Sequence, residues 1–346
     1  MNATDSSSMP PRAVVTWLWV VYGAIAAMVL IGGITRLTGS GLSMVTWQPL
    51  IGAVPPTSEA EWLAVFGQYQ QTPQYQQVNT WMTLADFKEI FFWEYLHRLW
   101  GRLIGVVFFV PWLYFTLRRR LWGRWAARGF VAFVLGGLQG ALGWFMVKSG
   151  LVDVPAVSHY RLAAHLSLAF VVGAWVLWLA LDMRPGPARR GDRSLWRAGV
   201  ALVAVLAVQI VYGAFMAGTR AGFMYQTWPD LNGVLWPASA WQAGLGWRNW
   251  VENLDLINVI HRNLAWGVAA VAIGWAAVAW RRAETARQRW AAGLVGVGVV
   301  AQFALGVATV LWAVPVALGA AHQLGAYLLL TAALLGLHAF RPDRAG

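Results

Sequence analysis

Eight stretches of the chain, at about 13–35, 93–117, 129–147, 162–182, 196–218, 258–280, 290–312 and 318–340, are almost wholly apolar. A helix needs about 20 predominantly apolar residues to cross a bilayer. All eight runs qualify, and their length and lack of strand alternation predict helix throughout. Glycine and alanine recur in them, as expected where helices approach closely in lipid. Charged residues make up only 12% of the chain, against about 25% in an ordinary soluble domain. An all-α integral membrane fold with eight transmembrane helices follows. The first run is longer than a signal-peptide core and follows a weakly charged tail, MNATDSSSMPPR, so it reads as a membrane helix rather than a cleavable signal.

Orientation comes from the basic residues. The loops after the second, fourth and sixth runs carry Arg118, Arg119, Arg120, Arg124 and Arg128, then Arg184, Arg189, Arg190, Arg193 and Arg197, then Arg281, Arg282, Arg287 and Arg289. Arg341 and Arg344 close the chain on the same side. The opposite loops are poor in basic residues and hold Glu59, Glu61, Asp86, Glu89, Asp153, Asp230, Glu252 and Asp255. By the positive-inside rule both termini are cytoplasmic. The net charge of +12 is therefore a membrane pattern and does not imply nucleic acid. Two connections on the outer side, about 36–92 and 219–257, are long and contain Gly, Pro and Trp, which predicts structured caps.

The chain repeats itself. GGITRLTGSGLSMVTWQPLIG at 32–52 matches GAFMAGTRAGFMYQTWPDLNG at 213–233 under one offset of 181. Coincident pairs are Gly32/Gly213, Thr38/Thr219, Gly41/Gly222, Thr46/Thr227, Trp47/Trp228, Leu50/Leu231 and Gly52/Gly233. His97-Arg98 then matches His261-Arg262, QGALG at 139–143 matches QFALG at 302–306, and Ala163-Ala164-His165 matches Ala320-Ala321-His322. An even number of helices separates the copies, so the halves share one membrane orientation. Two repeated four-helix bundles are expected: a cytoplasmic tail at 1–12, one half at 13–182, a cytoplasmic linker at 183–195, a second half at 196–340 and a tail at 341–346.

His97, His165, His261 and His322 occupy corresponding positions, one on each even-numbered helix, in the outer half of the bilayer. Each half thus offers two imidazoles from two helices at similar depth, the arrangement that places two axial ligands on one haem iron. The plain alternative is a hydrogen-bonding residue between helices. Four in register favour ligands, because polar groups inside a membrane are costly and usually functional. Zinc or copper fits less well, since no HxxxH or HxxE cluster supplies a compact shell. The chain has no cysteine, which excludes disulfides, thiolate metal sites, Cys-ligated iron–sulfur clusters and covalent c-type haem attachment. His159 lies six residues before His165, about 240° around a helix, and reads as a loop or interfacial residue. His338, beside Arg341, also reads as interfacial.

Arg98 and Arg262 each follow a ligand candidate, and Arg102 lies one turn beyond Arg98. They could pair with haem propionates or snorkel to headgroups, and the same two readings apply to Arg36 and Arg220. One asymmetry stands out. Glu94 precedes His97 by three residues and shares its helix face, whereas the aligned residue of the second half is Asn258. A buried carboxylate can serve as a base or stabilise a developing cation. It can also be a structural partner of Arg98 or of a backbone group. The catalytic reading assigns chemistry to the first half and a redox cofactor to the second.

EYLHRLWGRLIG at 94–105, TRLTGSGLSMVTWQPLIGAVPP at 35–56, HYRLAAHL at 159–166 and the later HR and AAH motifs resemble the haem A synthase family over about 13–340. The resemblance implies two similar four-helix halves and oxidation of the C8 methyl group of haem O to the formyl group of haem A, for terminal oxidases. Carried over, His97 and His165 flank the substrate haem with Glu94 beside it, and His261 and His322 ligate haem b. It also implies two hydroxylation-like steps and a geminal diol that loses water. Glu94 would stabilise a carbocation or deprotonate an attacking water, with electrons leaving through haem b to an unidentified acceptor. Haem O synthase is a partner by the same analogy. Some members carry a cysteine pair in the first outer loop, and this chain has none. The N-terminal tail is unlike a mitochondrial transit peptide, so a bacterial inner (cytoplasmic) membrane is expected. Three other functions fit parts of the pattern: a diheme b-type electron-transfer cytochrome, which needs no Glu94, a membrane haem carrier, and an ion-coupled transporter. The last would place polar sites at the midplane rather than in the outer half.

Overall fold

Each of the eight apolar runs forms one long helix in the computed structural model, which describes residues 10–45, 54–151, 155–184 and 191–342. The helices are α1 (Arg12–Leu37), α2 (Glu59–Gln70), α3 (Pro73–Gln77), α4 (Leu84–Leu117), α5 (Gly123–Ser149), α6 (His159–Asp182), α7 (Arg193–Thr219), α8 (Asn249–Glu252), α9 (Leu254–Arg281), α10 (Ala286–Leu311) and α11 (Val316–Ala339). No strand occurs among the described residues. Of the residues matched between the halves, Thr46, Trp47, Leu50 and Gly52 lie outside the described residues, as do Asp153, Arg189, Arg190 and Arg344.

The long helices pack in two closed rings. In the first, α1 meets α4, α4 meets α5, α5 meets α6, and α6 returns to α1. In the second, α7, α9, α10 and α11 follow one another in the same way. The rings join through α1 against α11 and α6 against α7 and α11. A continuous apolar core crosses this seam, with Leu18, Val21 and Tyr22 of α1, Phe170 and Leu177 of α6, and Tyr327 and Leu330 of α11 in one cluster. Tyr22 stacks on Tyr327 with ring centroids 5.4 Å apart, and its hydroxyl bonds that of Thr331.

In lipid every backbone polar group must find an internal partner. Pro111 in α4 has no N–H, which frees the Val107 carbonyl four residues earlier. That carbonyl accepts from the Trp17 indole of α1 at 2.8 Å, so the helix break fastens two helices together.

The connections opposite the Arg-rich end are structured where described. Ser58 and Glu61 form a reciprocal capping box at the start of α2, and Thr83 and Asp86 form another at α4. Phe66 and Tyr69 of α2 pack on Phe87 and Phe91 of α4. In the second half α7 ends at Arg220, whose φ of 59° turns the chain into a 3-10 turn, Ala221–Phe223.

Candidate functional site

The four in-register histidines occupy matching settings, each with its ring against a glycine of the neighbouring helix. A β-carbon on Gly32 would lie 3.2 Å from Cε1 of His97, and one on Gly213 would lie 3.2 Å from Cε1 of His261. On Gly143 and Gly306 it would lie 2.9 Å from Cε1 of His165 and His322, closer than real β-carbons approach. The rings of His165 and His322 therefore use space that glycine leaves, while a β-carbon on Gly32 or Gly213 would be a tight contact with His97 or His261. All four are half-buried. Within each half the two histidines lie near enough to interact electrostatically.

Glutamines hold three of the four. The amide of Gln139 donates to the His165 carbonyl at 3.0 Å, Gln209 to that of His261 at 3.1 Å, and Gln302 to that of His322 at 2.9 Å. The same amides reach the rings, Gln209 and Gln302 lying 3.2 Å from Nδ1 of His261 and His322. Nδ1 of His97 and of His165 is buried and has no partner among the described residues. Gln139 and Gln302 belong to a repeated motif, but the repeat by itself assigns them no role. Gln209 left no repeat signal, because the residue aligned with it under the 181 offset is Met28.

His261 and His322 line one cavity in the second half, together with Gln209, Gln302, Phe303 and Trp228. Half-buried imidazoles facing a mostly apolar space that glycines leave open fit a haem held between two histidines. Among the described residues no three or more His, Cys, Asp or Glu side chains converge, so these donors come in pairs.

Glu94 is 3% exposed, and both its oxygens are engaged. Oε2 accepts from the Ser43 hydroxyl at 2.6 Å and the Met44 amide at 2.7 Å, and Oε1 meets Arg98 at 2.5 Å. Asn258, fully buried, instead donates to the Ala221 carbonyl at 2.9 Å. The asymmetry seen in the sequence is thus one of charge and of hydrogen-bonding direction.

The arginines that follow the ligand candidates turn to the loops. Arg98 donates to the Met44 carbonyl at 2.9 Å. Arg262 donates to the carbonyls of Tyr225, Thr227 and Asp230 at 2.8–2.9 Å while lining the cavity. Arg102 is half-buried on the same helix as Arg98. His159 opens α6 and packs against Gly218, Tyr160 and Phe215. His338, expected at the interface, lies in the last turn of α11 and is 1% exposed, enclosed by protein. Its Nδ1 lies 2.6 Å from Arg287 and its Nε2 lies 3.1 Å from Asp182. Asp182 also pairs with Arg128 at 2.9 Å and Arg341 at 3.2 Å. Sequence reading had no means of finding this cluster, because its members come from helices distant in the chain.

Fold and site together define a multi-pass membrane protein with two pairs of inward-facing histidines, one pair beside a buried carboxylate. The chain belongs to the COX15-CtaA family, described as cytochrome oxidase assembly protein, whose model matches residues 15–334. Among similar curated proteins, a "Heme A synthase" of Rhodospirillum centenum is 47% identical over 97% of this chain and 90% of its own. Proteins of the same name from Nitrosospira multiformis and Paramagnetospirillum magneticum are 42% and 43% identical, over 98% and 97% of this chain and 96% of theirs.

Proposed function

We propose that this protein makes haem A by oxidising the C8 methyl group of haem O to a formyl group. The observation that carries the reading is a pair of glycine-backed histidine sites of which only one has a carboxylate. Family membership and near full-length likeness to proteins named "Heme A synthase" support the same conclusion. The half at 13–182 would hold haem O between His97 and His165, and the half at 196–340 would hold haem b between His261 and His322. The two rings of helices would be copies of one four-helix unit, consistent with the matching glycine and glutamine contacts. Haem b, when bound, would supply one-electron redox chemistry.

Each oxidation replaces a methyl C–H bond with a C–O bond from water, releasing two electrons and two protons. The second gives a geminal diol, which loses water. Positive charge develops on the carbon as electrons leave. Glu94 is a fixed negative charge on the helix face of His97. Held by Ser43, Met44 and Arg98, it is arranged to stabilise that cation, and the lone pair left on Oε1 could also accept a proton from water. Arg98 and the Ser43–Met44 loop keep the carboxylate in place. The electron acceptor and haem O synthase would be partners, in a bacterial inner membrane with both termini cytoplasmic and the haem sites toward the outer leaflet.

The test is acid extraction and chromatography of the haems bound to purified protein, from cells supplied with haem O. Wild type should yield haem B with haem O or its oxidised products. Glu94→Gln should retain haem B and haem O without oxidised product. Haem B alone in both proteins, at two per chain, would overturn the synthase reading and leave a diheme cytochrome.

A further inference from the structure

The cavity that holds His261 and His322 is not built from the second half alone. Gly33, Arg36 and Leu37 of α1, and Leu166 and Phe170 of α6, form part of its wall. Three of its lining residues, Arg36, Arg220 and Arg262, are cationic, and none is acidic. All three lie at the end of the molecule that carries the long connections, Arg36 at the close of α1 and Arg220 just after α7. Arg262 has the Asp230 carboxylate within electrostatic reach, whereas Arg36, half-buried in this largely apolar wall, has the exposed Arg220 as its charged neighbour, an arrangement that is unfavourable unless an anion completes it.

The three guanidinium groups differ in what they already bond. Arg262 is committed to three loop carbonyls. Among the described residues Arg36 uses only Nη2, donating to the carbonyls of Ala217 at 2.8 Å and Gly218 at 3.1 Å, and its buried Nε has no partner there. Arg220 makes no side-chain hydrogen bond or ion pair among the described residues. It is fixed at the cavity rim by a left-handed backbone that few non-glycine residues adopt.

We propose that Arg36 and Arg220 bind the two carboxylates of the porphyrin in the second half, and that Arg36, delivered by the first half, completes that site across the seam. A porphyrin ligated by His261 and His322 has its two acid groups on one edge, and two guanidiniums with free donors face that cavity from one end. Arginine suits carboxylates because its planar fork can donate twice. The proposal rests on the reading that this cavity holds haem b.

The test uses full-length protein carrying His97→Ala and His165→Ala, so that only the second site reports, produced without haem and titrated with haem b or its dimethyl ester. The ester keeps the iron and ring but lacks the acid groups. Free haem b should bind at least about tenfold more tightly than the ester, the lower end for hydrogen bonds to charged groups. Arg36→Gln and Arg220→Gln should each remove most of that preference. Arg220→Gln breaks no hydrogen bond among the described residues, so it decides the matter if Arg36→Gln loses its fold along with the α7 carbonyl contacts. Equal binding of acid and ester, or an undiminished preference in Arg220→Gln, would overturn the proposal. Failure to develop a bis-imidazole spectrum that His322→Ala abolishes would instead overturn the haem b site itself, and the proposal with it.

Discussion

Gly143 and Gly306 are the residues that most directly decide whether a histidine can occupy its site. A β-carbon at either would sit 2.9 Å from a ring carbon of His165 or His322, so the ring would have to turn or the helices part. Overpacking of this kind costs about 1–3 kcal/mol, and here the strain falls on a candidate ligand. Gly306→Ala should therefore lose the absorption of the second haem while the chain still folds. Gly140→Ala, in the same repeated motif, meets nothing within 4 Å and should leave the spectrum unchanged. Equal spectra for the two variants would show that the ring does not depend on the space glycine leaves. The histidines, Glu94 and these glycines were all legible as repeated or pointedly unrepeated letters. Gln209 was not, because a residue matched only by Met28 carries no repeat signal, and its role exists only through the contact with His261.

Elements are joined at the loop-bearing end by one device in each half. Arg98 of α4 bonds the Met44 carbonyl, and Arg262 of α9 bonds the Tyr225 carbonyl, residues related by the same offset of 181. The second loop has an extra tether, since the Tyr225 hydroxyl donates to Asp255 of α9 at 2.6 Å. Burial, and then the bond to the Asp255 carboxylate, push the Tyr225 phenol up to about 12. A phenol with its folded value raised above the usual ~10 contributes stability that is complete below pH about 10 and is lost as pH rises toward its folded value. Tyr225→Phe should lower the melting temperature in detergent by the equivalent of about 1 kcal/mol. The gap to wild type should stay constant up to pH about 10 and close toward pH 12, and a gap that widens with pH would contradict this tether. Element boundaries followed hydropathy to within a few residues, except that α5 begins at Gly123 rather than 129 and α4 starts earlier still. The apolar run predicts a helix from residue 93, yet α4 begins at Leu84. Its first turns are amphipathic, with Lys88 and Glu89 exposed and Phe87, Ile90 and Phe91 buried. A search for unbroken apolar length does not see such a segment. What stabilises it is the capping box at Thr83 and the aromatic packing on α2.

At the scale of the whole molecule, what holds the two rings together bears on function, because the second ring's cavity borrows residues from the first. The seam is fastened at three depths. Arg36 bonds the end of α7 at the loop-bearing end, Tyr22 and Tyr327 stack in the middle, and the Asp182 cluster closes the Arg-rich end. Asp182 of α6 takes Arg128 of α5 from its own ring and His338 of α11 and Arg341 from the other. Asp182→Asn keeps the shape but leaves three basic partners around a neutral amide. Removing one partner of a buried pair costs about 3–5 kcal/mol. The arginines here are 22–26% exposed, so screening by water reduces the expected loss to about 2 kcal/mol. The cluster and the histidine pairs occupy opposite ends of their helices: Asp182 closes α6 and His338 nearly closes α11, while His165 and His322 lie near the starts. Asp182→Asn should therefore lower the melting temperature while leaving the haem spectrum at saturation intact. Asp182→Asn combined with Arg36→Gln should lose more haem from the second site than Arg36→Gln alone, because the borrowed wall is then released at both ends. If the double variant retains as much haem as Arg36→Gln, the seam is held by its apolar core and the Asp182 cluster contributes only to folding.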